Sequence, residues 1–133
     1  MKRVMFVCKK NAARSQMAEA FAKRLGKDKI AVTSSGLEAS QVNPQAIKAM
    51  SDIGIDISDQ TSKALSDFQP EEFDAVISLC GCGVNLPPQW VQREVFEDWQ
   101  LEDPAEKPEI FPQVRDDIQA RVGKLIDKLI PFS

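Results

Sequence analysis

The run Arg3-Val4-Met5-Phe6-Val7 is apolar at every position after its first, shows no polar alternation, and ends at Cys8. A strand of this kind is buried on both faces, as in a parallel sheet covered by helices. The rest of the chain fits such a sheet. Met17, Ala18, Phe21 and Leu25 share one face at helical spacing, with Ser15 in a capping place, Glu19 in the early turns and Gly26 at the end. Residues 29–34, KIAVTS, read as a second strand closed by Ser35-Gly36. Residues 42–54 then give a helix, with Asn43 as cap, Pro44 at its first position, Ile47, Met50 and Ile53 on one stripe, and Gly54 as the stop. FDAVISLC, ending at Cys80, is a third strand, and REVFEDW, ending at Trp99, a weaker fourth. From about Glu109 a long last helix aligns Ile118, Val122, Leu125, Ile126 and Leu129. Strands alternating with helices predict an α/β domain with a parallel sheet and right-handed crossovers. No repeat or linker divides the chain, so residues 1–133 are expected to form one domain. Gly81 to Pro112 reads mostly as loop and holds five of the eight prolines.

Charge and composition remove several function classes. The net charge is −3, which gives no global attraction for nucleic acid or an anionic membrane. No stretch suits a signal peptide or a membrane span, and the expected location is the cytoplasm. There is no His and no Tyr, which excludes Cys-His and Ser-His-Asp catalysis and any zinc site built with histidine. Three cysteines, Cys8, Cys80 and Cys82, are an odd number and a poor disulfide framework. No metal, flavin or other cofactor motif is visible, so neither a metal nor a cofactor is expected.

The chemistry concentrates where the first strand ends. In an open parallel sheet, ligands bind at the carboxyl ends of strands, and Cys8 and Cys80 both fall there. The loop Cys8-Lys9-Lys10-Asn11-Ala12-Ala13-Arg14 runs straight into a helix N-terminus. Such a loop aims backbone N–H groups inward, and the helix dipole adds positive charge. Arg14 can grip two oxygens of a tetrahedral oxyanion. The same field favours Cys8 as a thiolate, to which Ser15 can donate. The reading is a nucleophilic sulfur facing a bound anion.

CKKNAARSQMAEAF, residues 8–21, resembles the phosphate-binding loop of the low-molecular-weight protein tyrosine phosphatase fold, and more closely that of the arsenate reductases built on it. TSSGLE (33–38), VNPQAIKAM (42–50), GIDIS (54–58) with QTSKAL after it, LPP (86–88), EDWQLEDPA (97–105) and VRDDI (114–118) extend the resemblance over nearly the whole chain. It implies a three-layer α/β/α fold with a four-stranded parallel sheet in the order 2-1-3-4. It implies an arsenate reductase serving arsenic detoxification, with arsenate bound by Lys9, Lys10, Asn11, Ala12, Ala13, Arg14 and Ser15, and phosphate and sulfate as competing anions. Cys8 would attack arsenic, Arg14 hold the oxyanion, and Asp103 protonate the leaving oxygen. Cys80 would form a disulfide with Cys8 as arsenite leaves, and Cys82 would move it outward as Cys80–Cys82. Thioredoxin, or glutathione with glutaredoxin, would return the electrons.

Three departures from the family pattern carry expectations. Only Gly81 separates Cys80 from Cys82, which makes a small, strained and readily reduced ring, so glutathione with glutaredoxin is expected to serve in place of, or beside, thioredoxin. Lys10 stands where the family often has glycine, so either the loop bends differently or Lys10 bears the strain. Some relatives bind potassium through Asn, Glu, Ser and Asp. Asn11, Glu19 and Ser34 match, but the fourth position is Lys63, whose ammonium is expected to replace the ion. The alternative function is a low-molecular-weight tyrosine phosphatase working through a Cys8 phosphoenzyme. Against it, Ala105 and Glu106 come after Asp103-Pro104 where phosphatases usually carry aromatic residues. A redox-sensing module would need the thiols but not Asp103.

Overall fold

The computed structural model describes residues 2–79, 86–104 and 107–130. Four strands, β1 (Lys2–Cys8), β2 (Ile30–Gly36), β3 (Ala75–Ser78) and β4 (Val95–Asp98), form one parallel sheet in the order β2-β1-β3-β4. The order 2-1-3-4 and the fold class are as expected. β1 is central, and Val4 to Val7 are fully buried, which is why the sequence shows no alternation there.

Alternate residues of β1 and β3 feed two cores. Val4, Phe6, Ala75 and Ile77 pack with α1 (Arg14–Gly26), α2 (Pro44–Ser51) and α4 (Phe111–Leu129). Met5, Val7 and Val76 pack on the opposite face with Leu65, Phe73, Leu86 and Trp90, the last from the short α3 (Pro88–Val91). All five residues of the predicted α4 stripe are buried. The Asn43 cap is also present, its Oδ1 accepting from the Gln45 N–H at 2.8 Å.

Three local readings change. α1 begins at Arg14 with Ala13 before it, so Ser15 lies inside the helix and caps nothing. Leu25 is 49% exposed: eight residues beyond Met17 it has rotated about 80° off that residue's line. Ile53 is 37% exposed because α2 stops at Ser51, and the stripe ends with the helix.

Gly36, at the end of β2, fixes how closely the sheet approaches the loop after β1. A Cβ there would lie 2.6 Å from the Asn11 nitrogen and 2.7 Å from the Lys10 carbonyl carbon. Only glycine allows that approach.

Candidate active site

The loop 8–14 is shaped from outside. Its carbonyls are tied down in succession by the surrounding chain. Leu37 N–H donates to Cys8 O (3.1 Å), Glu38 N–H to Lys9 O (3.1 Å), Asn43 N–H to Ala12 O (2.8 Å) and Met17 N–H to Ala13 O (3.0 Å). Ser40 and Ser62 hydroxyls donate to Lys10 O (3.0 and 3.1 Å), and Gln16 Nε2 to Asn11 O (3.0 Å). In a trans peptide the N–H points opposite to the C=O. Anchoring the carbonyls outward therefore turns the amides inward. Among the described residues, none of the N–H groups of Lys9 to Arg14 donates to another group. They form a set of inward donors of the kind that can hold an anion.

The cleft they face has a volume of about 280 Å³ and is lined by Cys8, Lys9, Lys10, Ala12, Ala13, Arg14, Asn43 and Asp103. Cys8 is buried and unbridged. Lys9 and Lys10 are exposed at the rim, where their charge attracts an anion without being desolvated. Arg14 is only 7% exposed. Its Nη1 donates to Leu101 O (2.9 Å) and Leu79 O (3.3 Å), and its Nη2 lies 3.7 Å from Asp103 Oδ2. Among the described residues its buried Nε has no partner, a donor of the kind that an oxyanion can satisfy. Asp103 sits half exposed at the mouth, in ion-pair range of the arginine. The structure thus brings together Cys8, the loop, Arg14 and Asp103. Cys80 and Cys82 lie outside the described residues, although Leu79, beside Cys80, bonds to Arg14 through its carbonyl.

Asn11 and Ser15 serve the loop differently from expectation. The left-handed residue is Asn11 (φ 52°), not Lys10, so the loop bends one position later and Lys10 bears no such strain. Asparagine tolerates this conformation better than most side chains. Its Nδ2 donates to Ser15 Oγ (2.8 Å) and Ser34 Oγ (2.9 Å). Ser15 is turned to Asn11, and among the described residues its hydroxyl makes no bond to Cys8.

Ser34 in turn donates to Glu19 Oε1, and Glu19 is a buried carboxylate. Its charge is answered by two ammonium groups: Lys23, four residues on, and Lys63, whose Nζ lies 3.8 Å from Oε1. Lys63 Nζ also donates to Thr61 O at 2.6 Å. A potassium ion beside Glu19 would meet both like charges, so these residues do not fit one. Lys23 was not anticipated, although a Glu–Lys pair at i, i+4 is a readable signal. Activity is expected to be equal in potassium and sodium salts at matched ionic strength. Clear activation by potassium in steady-state assays would contradict this.

Comparison with known proteins agrees with the geometry. Residues 3–130 match the family described as low molecular weight phosphotyrosine protein phosphatase. The glutaredoxin arsenate reductase of Synechocystis sp. (strain ATCC 27184 / PCC 6803 / Kazusa) is 61% identical over 97% of this chain and 99% of its own. Arsenate reductase 1 of Bacillus cereus is 42% identical over 92% of each. A solved arsenate reductase in the phosphate binding state superposes with a TM-score of 0.90, at 61% identity, over 96% of this chain and 98% of its own. The chain belongs to the low molecular weight phosphotyrosine protein phosphatase family, and within it to the arsenate reductases.

Proposed function

We propose that the protein reduces arsenate to arsenite by a three-thiol relay. The observation that carries the reading is the cradle: inward amides and an orphaned Arg14 Nε beside a buried cysteine, with a carboxyl group at the mouth. The Cys8 thiolate attacks arsenic, forming an S–As bond. Asp103 gives its proton to the departing oxygen, which leaves as water. The Cys80 thiolate then attacks Cys8 sulfur. The S–As bond breaks with its electron pair going to arsenic, which becomes arsenite, while Cys8 and Cys80 are oxidised to a disulfide. Cys82 attacks Cys80 and frees Cys8. The resulting Cys80–Cys82 disulfide takes two electrons from glutathione with glutaredoxin, or from thioredoxin. The Synechocystis relative, described as a glutaredoxin arsenate reductase, favours the first donor. Such donors keep thiols reduced in the cytoplasm, where we place the reaction.

The test is arsenite formation by the purified protein with each donor in turn, for the wild type and for Cys8→Ser, Cys80→Ser and Cys82→Ser. Turnover requiring all three thiols, with glutathione and glutaredoxin as the better donor, is the expected result. Full turnover with thioredoxin alone removes the preference for glutaredoxin. Phosphate release that needs Cys8 but neither other thiol, without arsenite formation, establishes the phosphatase alternative that the family relationship supports.

A further inference from the structure

Gln16 is fully buried in the first turn of α1, where the amphipathic pattern gives it no task. Its Nε2 lies 3.0 Å from each of three oxygens: Asn11 O, Asn11 Oδ1 and Thr61 O. Its Oε1 accepts from Gln60 Nε2 at 2.9 Å, and its backbone carbonyl accepts from the same nitrogen at 3.0 Å. The two amides mesh in one sense only. Turned end for end, Gln16 would press Oε1 against three oxygens and its NH₂ against that of Gln60. The three oxygens and Gln60 together fix which way Gln16 faces.

That orientation passes into the loop. Asn11 Oδ1 accepts from Gln16 Nε2 and, at 2.8 Å, from the Lys63 N–H, so its NH₂ must face Ser15 and Ser34. All four hydrogen-bonding positions of the Asn11 amide are then used. Gln16 also holds the Asn11 carbonyl, and the peptide plane that carries this carbonyl carries the Ala12 N–H on its other side. Pulling the carbonyl toward Gln16 aims that N–H at the cleft, which Ala12 lines. We propose that Gln16, steered by Gln60, is a positioning residue that sets the loop's oxyanion-binding shape, through the left-handed turn at Asn11 and the Ala12 amide. The proposal rests on the reading of the loop as an oxyanion cradle.

The test uses the Cys80→Ser/Cys82→Ser protein, in which Cys8 is the one thiol, and follows iodoacetamide alkylation against inorganic phosphate. Protection gives the phosphate dissociation constant directly. Gln60→Leu removes the steering but leaves Gln16 free to find its partners, and a small rise in that constant is expected. Gln16→Met leaves both Asn11 oxygens short of a donor, and Gln60→Glu, which accepts only, draws the Gln16 NH₂ away from the loop. Each of these is expected to weaken phosphate binding about tenfold, the scale of one lost buried hydrogen bond. In the three-thiol protein the same changes raise KM for arsenate more than they lower kcat. A purely structural role lowers Tm and leaves the phosphate constant of the folded variants where it was, and that result overturns the proposal. Should Gln60→Glu fail to fold, Gln16→Met and Gln60→Leu decide the matter. Absence of phosphate protection in the parent protein would overturn the cradle reading itself, which separates the two failures.

Discussion

Arg14→Lys is expected to remove phosphate binding and arsenate turnover from a protein that still folds. The buried guanidinium divides its donors between structure and ligand. Nη1 serves the carbonyls of Leu101 and Leu79, while among the described residues Nε has no partner. A lysine ammonium can reach one of these directions but cannot present a planar fork to an oxyanion while holding two carbonyls. Losing a charge-assisted, two-point grip in a buried cleft is worth about 3 kcal/mol, or about a hundredfold in affinity. The stability loss is smaller, about 1 kcal/mol or roughly 4 °C in Tm, because one carbonyl keeps a donor. Calorimetric titration with phosphate and a thermal melt on one sample separate the two effects. Unchanged phosphate affinity would show that the amides alone hold the anion.

Gly36→Ala is expected to damage the site from across the sheet. The added methyl would stand 2.6 Å from Asn11 N and from Glu38 O, and 2.7 Å from Lys10 C. All three are backbone atoms, so no side chain can swing aside. The parallel pairing of Cys8 with Gly36 and the bond from Gly36 N–H to Lys63 O (2.8 Å) hold this position in place. The relief must come from the loop. Overpacking of this kind costs about 1–3 kcal/mol of stability. Displacing the inward amides is expected to weaken phosphate about tenfold or more, since several hydrogen bonds lose alignment together. A crystal structure of the variant with phosphate bound in an undisturbed loop would refute the steric clash.

The sequence carried the fold well wherever a local pattern has a local cause. Val4 to Val7, the α4 stripe and the Asn43 cap are local patterns with local causes, and each appears as read. It carried the loop's residues because a thiol at a strand end and an arginine at a helix start, joined by a short loop, fall where a parallel sheet binds ligands. It misplaced what depends on the exact frame of a turn. Starting α1 two residues earlier turned Ser15 from a cap into a partner of Asn11. Of the two expectations for Lys10, the differently bent loop is the one seen, with the left-handed residue at Asn11. It could not show that Gln16 meets Gln60, because polar contacts 44 residues apart leave no periodic trace. Lys63 was legible as a cation near Glu19 only through the family pattern. Its 3.8 Å approach to the carboxylate, with Lys23 on the other oxygen, is a fact of tertiary packing.

The way the loop's carbonyls are held has a consequence for how its signature is understood. Residues 8–14 do not carry their own shape. Leu37, Glu38, Ser40, Asn43 and Ser62 draw the chain outward, and Gln16 and Met17 do so from the helix. The seven-letter signature is therefore not a portable cassette. It is the inner lining of a mould whose walls are written at 36–43 and 60–63. Substitutions in those walls, in residues with no chemistry of their own, change the anion chemistry as surely as substitutions in the lining.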